Sequence, residues 1–166
     1  SAEDLSRSEL LVLPGVGNFA AGMENLTERN LMDFVRDWGT SGKPLVGICL
    51  GMQLFFEHSE EGDTKGLGIL PGEVVRFDVD LKVPHMGWNR IWVEDSRVLA
   101  PFDGDSFYFV HSYVCIPNGK TAATTQYGGD FVSAVEDGRI VGFQFHPEKS
   151  SERGLALLER TLEVLE

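Results

Sequence analysis

Apolar residues along this chain first gather in unbroken runs and later in brief stretches set between turn residues, and the two textures predict different parts of one domain. Leu10-Leu11-Val12-Leu13, closed by Pro14-Gly15 and Gly17, predicts a strand buried on both faces and stopped by a turn. Residues 19–38 read as helical in their second half, where Leu31, Phe34, Val35 and Trp38 recur at three- and four-residue spacing before Gly39, Gly42 and Pro44 break the pattern. Leu45-Val46-Gly47-Ile48 is a second buried strand, running directly into a helical pattern over 50–58 that ends at His58. Strand, helix, strand, helix is the order of an α/β domain with a central, mostly parallel sheet flanked by helices.

From Gly72 onward short strand candidates dominate: 74–75, 91–93, 107–110, 121–125, 133–135 and 140–145. Glu136-Asp137-Gly138-Arg139 predicts a hairpin turn between the last two. A final helix starts near Ser150 or Ser151, either of which could cap it, with Leu155, Leu158, Leu162 and Leu165 as its apolar stripe. With no repeat, linker or low-complexity segment, residues 1–166 are expected to form a single domain.

Composition narrows the function more than the fold. A formal net charge of -12 argues against nucleic acid or an anionic membrane as partner, since phosphate binding needs clustered Lys and Arg. No apolar run approaches the ~20 residues that span a bilayer, and the polar start Ser1-Ala2-Glu3-Asp4 is not a signal peptide. The two cysteines, Cys49 and Cys115, are expected to be free thiols in a reducing, cytoplasmic setting.

Cys49 stands in Gly47-Ile48-Cys49-Leu50-Gly51, the thiol version of a nucleophile elbow: a buried strand turning sharply into a helix, with small residues two positions to either side. The elbow would lift the sulfur to a helix N-terminus, where the dipole favours thiolate. The free N–H of Leu50 would point at an oxyanion, with a second donor from the Gly15-Val16-Gly17 turn. The pentapeptide alone leaves open a buried, inert cysteine. Cys115, inside Tyr113-Val114-Cys115-Ile116, reads as a small strand residue.

A thiol nucleophile needs an imidazole to take its proton, and the imidazole needs a third group to orient it. Phe143-Gln144-Phe145-His146-Pro147-Glu148 offers both from one loop, because Pro147 fixes a turn that lets Glu148 curl back to the His146 ring. His58 reads as a partner of a helix C-terminus, while His85 and His111 are left as structural or site-lining. No ligand spacing predicts a metal site, and no cofactor is expected.

Pro14-Gly15-Val16-Gly17, Gly47-Ile48-Cys49-Leu50-Gly51-Met52-Gln53 and His146-Pro147-Glu148 together resemble class I (triad) glutamine amidotransferases, in order and spacing across nearly the whole chain. Met52, Gly66-Leu67-Gly68, Pro84-His85-Met86-Gly87-Trp88-Asn89 and Phe109-Val110-His111-Ser112-Tyr113 resemble the glutaminase subunits of imidazole glycerol phosphate synthases, which serve histidine biosynthesis. The resemblance implies a Cys49, His146, Glu148 triad that hydrolyses glutamine through a thioester. It also implies that Gln53, Gly51, the Gly15-to-Gly17 turn and the backbone of Ser112 and Tyr113 border the glutamine. Met86, Trp88 and Asn89 would face a cyclase subunit with a (β/α)8 barrel, which receives the ammonia.

Members of this family open with a strand, a helix and another strand ahead of the segment that starts here, so an N-terminal βαβ element is expected to be missing. Two other functions stay open on sequence: glutaminase for a different synthase, and a catalytically silent scaffold subunit.

Overall fold

A computed structural model describes residues 1–166. The chain opens with a single helical turn, α1 (Ala2–Leu5), followed by β1 (Leu11–Gly15), α2 (Phe19–Glu28) and α3 (Met32–Thr40). Next come β2 (Leu45–Cys49), α4 (Leu50–Gln53), β3 (His58–Ser59), β4 (Thr64–Lys65), β5 (Gly72–Arg76) and β6 (His85–Arg90). The second half adds β7 (Trp92–Val93), β8 (Ser106–His111), β9 (Tyr113–Pro117), β10 (Ala123–Gln126), β11 (Asp130–Asp137), β12 (Ile140–Phe143) and α5 (Ser151–Leu165).

One large sheet runs in the order β1-β2-β12-β11-β9-β5-β3-β4, with β10 joining β11 to β7 at its side. Parallel pairing is narrower than the mostly parallel sheet expected: β1, β2 and β12 are parallel, as is the short β3–β5 pair, while the rest is antiparallel. The predicted 136–139 hairpin is the reason, because it reverses the chain and sets β12 antiparallel to β11 with Asp137 opposite Ile140. A second sheet of two strands, β6 and β8, pairs His85 with His111 and Trp88 with Tyr108.

Two apolar cores lie on opposite faces of the large sheet, since side chains alternate along each strand. In β2, Leu45 faces the core filled by Phe19, Met23 and Leu26 of α2 and Val35 and Trp38 of α3; Val46 and Ile48 face the other. That second core holds Phe107 and Phe109 of β8, Phe143, Phe145 and the inner face of α5. Each fully buried phenylalanine contributes about 2–3 kcal/mol of burial. Phe107 and Phe145 stack with centroids 4.5 Å apart and so fasten the β6–β8 ribbon to the end of β12. No helix is long and apolar enough to cross a membrane.

Several expectations are corrected. The helical pattern over 50–58 yields only α4; Leu54, Phe55 and Phe56 then turn into the core, and His58 begins β3 instead of ending a helix. His58 is an exposed partner of Asp63, at 2.7 Å. Ahead of the expected helix lies an additional one, α2, separated from α3 by Asn30 at φ +55°. α5 buries only Leu165 of its predicted leucine stripe: Gly154, Leu157, Thr161 and Leu165 face the core, Leu158 is half-buried, and Leu155 and Leu162 are exposed. Cys49 and Cys115 are both free thiols.

Candidate active site

β2 is buried at every position, and Cys49 ends it with φ +53° and ψ −109°, a conformation an L-residue rarely adopts. The strain persists because the surroundings permit nothing else. A Cβ on Gly51 would lie 1.7 Å from the Leu13 carbonyl oxygen of β1, and one on Gly47 would meet the Phe55 ring at 2.6 Å. The expected elbow is therefore present, with its flanking glycines enforced by close approach.

Its electrostatics differ from expectation. Burial pushes the Cys49 thiol up to about 11, helped by the negative charge of Glu148. The Leu50 N–H directed at the sulfur opposes this rise, yet α4 is four residues long and its dipole is correspondingly weak. The resting group is thus a thiol. It donates to the Val110 carbonyl of β8 at 3.8 Å and accepts from Gln144 Nε2 at 3.7 Å.

β12 lies beside β2 in parallel register, so residues just beyond both strands emerge at the same end of the sheet. His146 is held there by its main chain: its N–H donates to the Tyr108 carbonyl at 2.8 Å, and its carbonyl accepts from Ser150 Oγ at 2.6 Å. Ser150 also accepts the Tyr108 N–H at 2.9 Å, so it ties β8 to the turn and makes no side-chain cap for α5. The turn after His146, Pro147–Lys149, brings Glu148 Oε1 to 2.6 Å from His146 Nδ1. The carboxylate fixes the proton on Nδ1 and leaves Nε2 as an acceptor. Nε2 is buried with no hydrogen-bond partner. α5 braces this turn closely, since a Cβ on Gly154 would come within 1.8 Å of the Pro147 carbonyl oxygen.

A cleft of about 260 Å³ opens over the sulfur, lined among others by Val16, Gly17, Leu50, Gln53, Ser112 and Tyr113. Of the residues expected to border a substrate, Gly15 and Gly51 instead stand behind it, Gly15 opposite Cys49 in the β1–β2 register. Gln53 is buried, donating to the Tyr113 carbonyl at 3.3 Å and to Gln144 Oε1 at 3.1 Å, so it braces the wall of the cleft. A larger cleft of about 380 Å³, around Asp95, Arg97 and Lys120, has neither cysteine nor histidine in its lining.

Sequence reasoning missed Glu61, Pro84 and Val110 of the lining, along with Gln144, while His111, left as structural or site-lining, stands in it. Glu61 is the only charged residue there; its Oε2 accepts the Phe19 N–H at 2.9 Å. A glutamine inside the aromatic run 143–145 was the available signal for Gln144, because a buried amide needs partners.

Met86 and Trp88 are 61% and 53% exposed on the outer face of the β6–β8 ribbon, so neither is packed in a core. Trp88 meets the Tyr108 ring edge-on at 6.4 Å. Asn89 points to the other side of β6, where its amide donates to the Gln126 carbonyl at 2.8 Å and contacts His85. No group of three or more His, Cys, Asp or Glu side chains is close enough to hold a metal ion.

The family model described as "Glutamine amidotransferase class-I" matches residues 2–164. The chain is 49% identical over 159 residues to "Imidazole glycerol phosphate synthase subunit HisH" of Aquifex aeolicus (strain VF5), covering 93% of this chain and 77% of that protein. It is 46% identical over 165 residues to the protein of the same name from Rhodopirellula baltica, covering 96% and 80%. A solved structure described as a glutamine amidotransferase superposes with a TM-score of 0.71 at 23% identity, over 97% of this chain and 83% of that one. Another, PurLQS from Thermotoga maritima, gives 0.65 at 18% identity over 95% and 80%, and both likenesses concern the fold. With a cysteine elbow at the end of one parallel strand, a His–Glu pair at the end of its neighbour, and these matches along almost its full length, the chain belongs to the class-I glutamine amidotransferase family.

Proposed function

We propose that this chain is the glutaminase subunit of an imidazole glycerol phosphate synthase, hydrolysing glutamine to glutamate and passing the ammonia to a cyclase partner. The observation that carries the chemistry is the orphaned Nε2 of His146, held by Glu148 at the same sheet end as the Cys49 elbow. An unsatisfied buried acceptor costs about 1–3 kcal/mol, which a proton from the nucleophile would relieve.

In this reading Cys49 yields its proton to Nε2 and the sulfur attacks the side-chain amide of glutamine. The oxyanion is met by the Leu50 N–H and by the backbone of the Val16-Gly17 turn. His146 returns the proton to the leaving ammonia, then takes one from the water that hydrolyses the thioester. Glu61, the only charge in the cleft, pairs with the α-ammonium of glutamine, and the backbone of Ser112 and Tyr113 meets its carboxylate end. The exposed Met86–Trp88 face, continuous through Val110 with the cleft, suits a protein partner. That partner would be a (β/α)8 barrel, and Asn89 would support this face from behind.

The test is ammonia release from glutamine by the chain alone and with the cyclase subunit and its nucleotide ligand, with Cys49→Ala as control. Stimulation of about tenfold or more, lost in the variant, supports the assignment. Equal release from Cys49→Ala would sink the thioester mechanism. Stimulation by a different synthase and not by the cyclase would redirect the assignment.

A further inference from the structure

Two histidines that the triad does not use meet beside the cleft, His111 in its lining and His85 outside it. His85 and His111 face each other across the β6–β8 ladder, and both are buried. His111 Nδ1 is 2.9 Å from the Tyr113 carbonyl oxygen, and His111 Nε2 is 2.9 Å from His85 Nδ1. His85 Nε2 is 3.3 Å from the Asn89 amide nitrogen.

These contacts allow only one order of protons. A carbonyl can only accept, so His111 Nδ1 carries hydrogen, and Nε2 of the same neutral ring must then accept. His85 therefore donates through Nδ1 and accepts at Nε2 from the Asn89 amide, whose oxygen is already occupied by the Arg90 N–H at 2.8 Å. Desolvation keeps both rings neutral, pushing His85 down to about 4 and His111 to about 3.

We propose that Asn89, His85 and His111 form a one-way hydrogen-bond relay whose last donor, His111 Nδ1, fixes the Tyr113 carbonyl and with it the Ser112–Tyr113 wall of the glutamine cleft. This rests on reading the cleft as the glutamine site. Packing alone does not explain the pair. Phe77, Phe109 and Phe131 surround His111, and phenylalanine would fill the same place with no polar atoms to satisfy. The Tyr113 carbonyl is moreover a shared acceptor: Gln53 also donates to it, then to Gln144, which reaches the Cys49 sulfur. The relay thus links the strand bearing Trp88 to the wall of the cleft. Its members are positioning residues, because His85 and Asn89 do not line the cleft and His111 acts through Tyr113.

The experiment is saturable labelling of Cys49 by the diazoketone analogue of glutamine, 6-diazo-5-oxo-norleucine, which separates binding (KI) from reaction (kinact). Alkylation by iodoacetamide and the thermal midpoint are read in parallel on the full chain. His111→Phe keeps the ring packing and removes both bonds; KI should rise about tenfold, with kinact within about twofold and alkylation and midpoint unchanged. His111→Asn, whose amide can replace the Nδ1 donor, should recover most of that loss despite weaker packing. His85→Phe, remote from the cleft, should raise KI several-fold by freeing the His111 tautomer. A KI within twofold of the unaltered chain in His111→Phe overturns the proposal, as does no recovery in His111→Asn. An unchanged KI in His85→Phe also overturns it, reducing the relay to a single residue. If the unaltered chain shows no saturable labelling, the glutamine reading itself fails and this inference with it.

Discussion

Cys49 combines a backbone torsion worth about 1–3 kcal/mol of strain with a thiol withdrawn from water. Its proton affinity sets a testable reactivity. At pH 8 a group at about 11 holds roughly a hundredfold less thiolate than an ordinary cysteine, so iodoacetamide should alkylate Cys49 that much more slowly than free cysteine. Alkylation at the free-cysteine rate would show that the sulfur is not desolvated in solution. The same shift bears on stability. Below pH 9 the folded and unfolded chains both keep this proton; between 9 and about 11 only the folded chain does, so stability should fall across that window. Cys49, His146 and Glu148 were legible because each sits in a short motif whose turn residues betray its geometry. Glu61 and Gln144 were not, because their roles arise from partners distant in sequence, Phe19 for Glu61 and Cys49 for Gln144.

Among the elements, the β2–α4 elbow and the register of α5 give the sharpest expectations. Gly51→Ala must displace β1 or abandon the elbow, and should cost about 3 kcal/mol or more in denaturant unfolding. In α5, Leu157→Ala should cost about 3 kcal/mol, and Leu155→Ala under about 1, since Leu155 is exposed and Leu157 buried. The reverse order would restore the leucine stripe read from sequence. That stripe misled because spacing alone rewards large apolar residues. The helix instead turns its small residues, Gly154 and Thr161, inward, and at Gly154 it closes onto the Pro147 turn. The same reasoning explains the helix wrongly extended through His58: Phe55 and Phe56 fit the period, but both are claimed by the core as the chain turns toward β3. The β6–β8 ribbon adds an acid limit. His85 and His111 are held neutral when folded and protonate near 6.5 when unfolded, so stability is full above pH 6.5 and declines as pH falls toward 4. The loss should reach several kcal/mol, and the pH profile should be flatter in a His85→Phe, His111→Phe double variant.

Over the whole molecule, the exposed apolar residues of the ribbon lie on the same strands that support the cleft. Trp88→Ala should weaken association with the cyclase subunit by about 2 kcal/mol or more while leaving the thermal midpoint nearly unchanged, as calorimetric titration and unfolding would show. A large fall in the midpoint would mean that Trp88 serves the fold. β8 holds both halves of the proposed catalytic apparatus through main-chain atoms alone, the Tyr108 carbonyl holding His146 and the Val110 carbonyl receiving the Cys49 thiol. A peptide carbonyl is the same whatever side chain accompanies it. The outward side chains of this strand can therefore drift in evolution to follow a changing partner surface without disturbing the alignment of nucleophile and base. Specificity of assembly and constancy of chemistry are thereby inherited separately, though they share one strand.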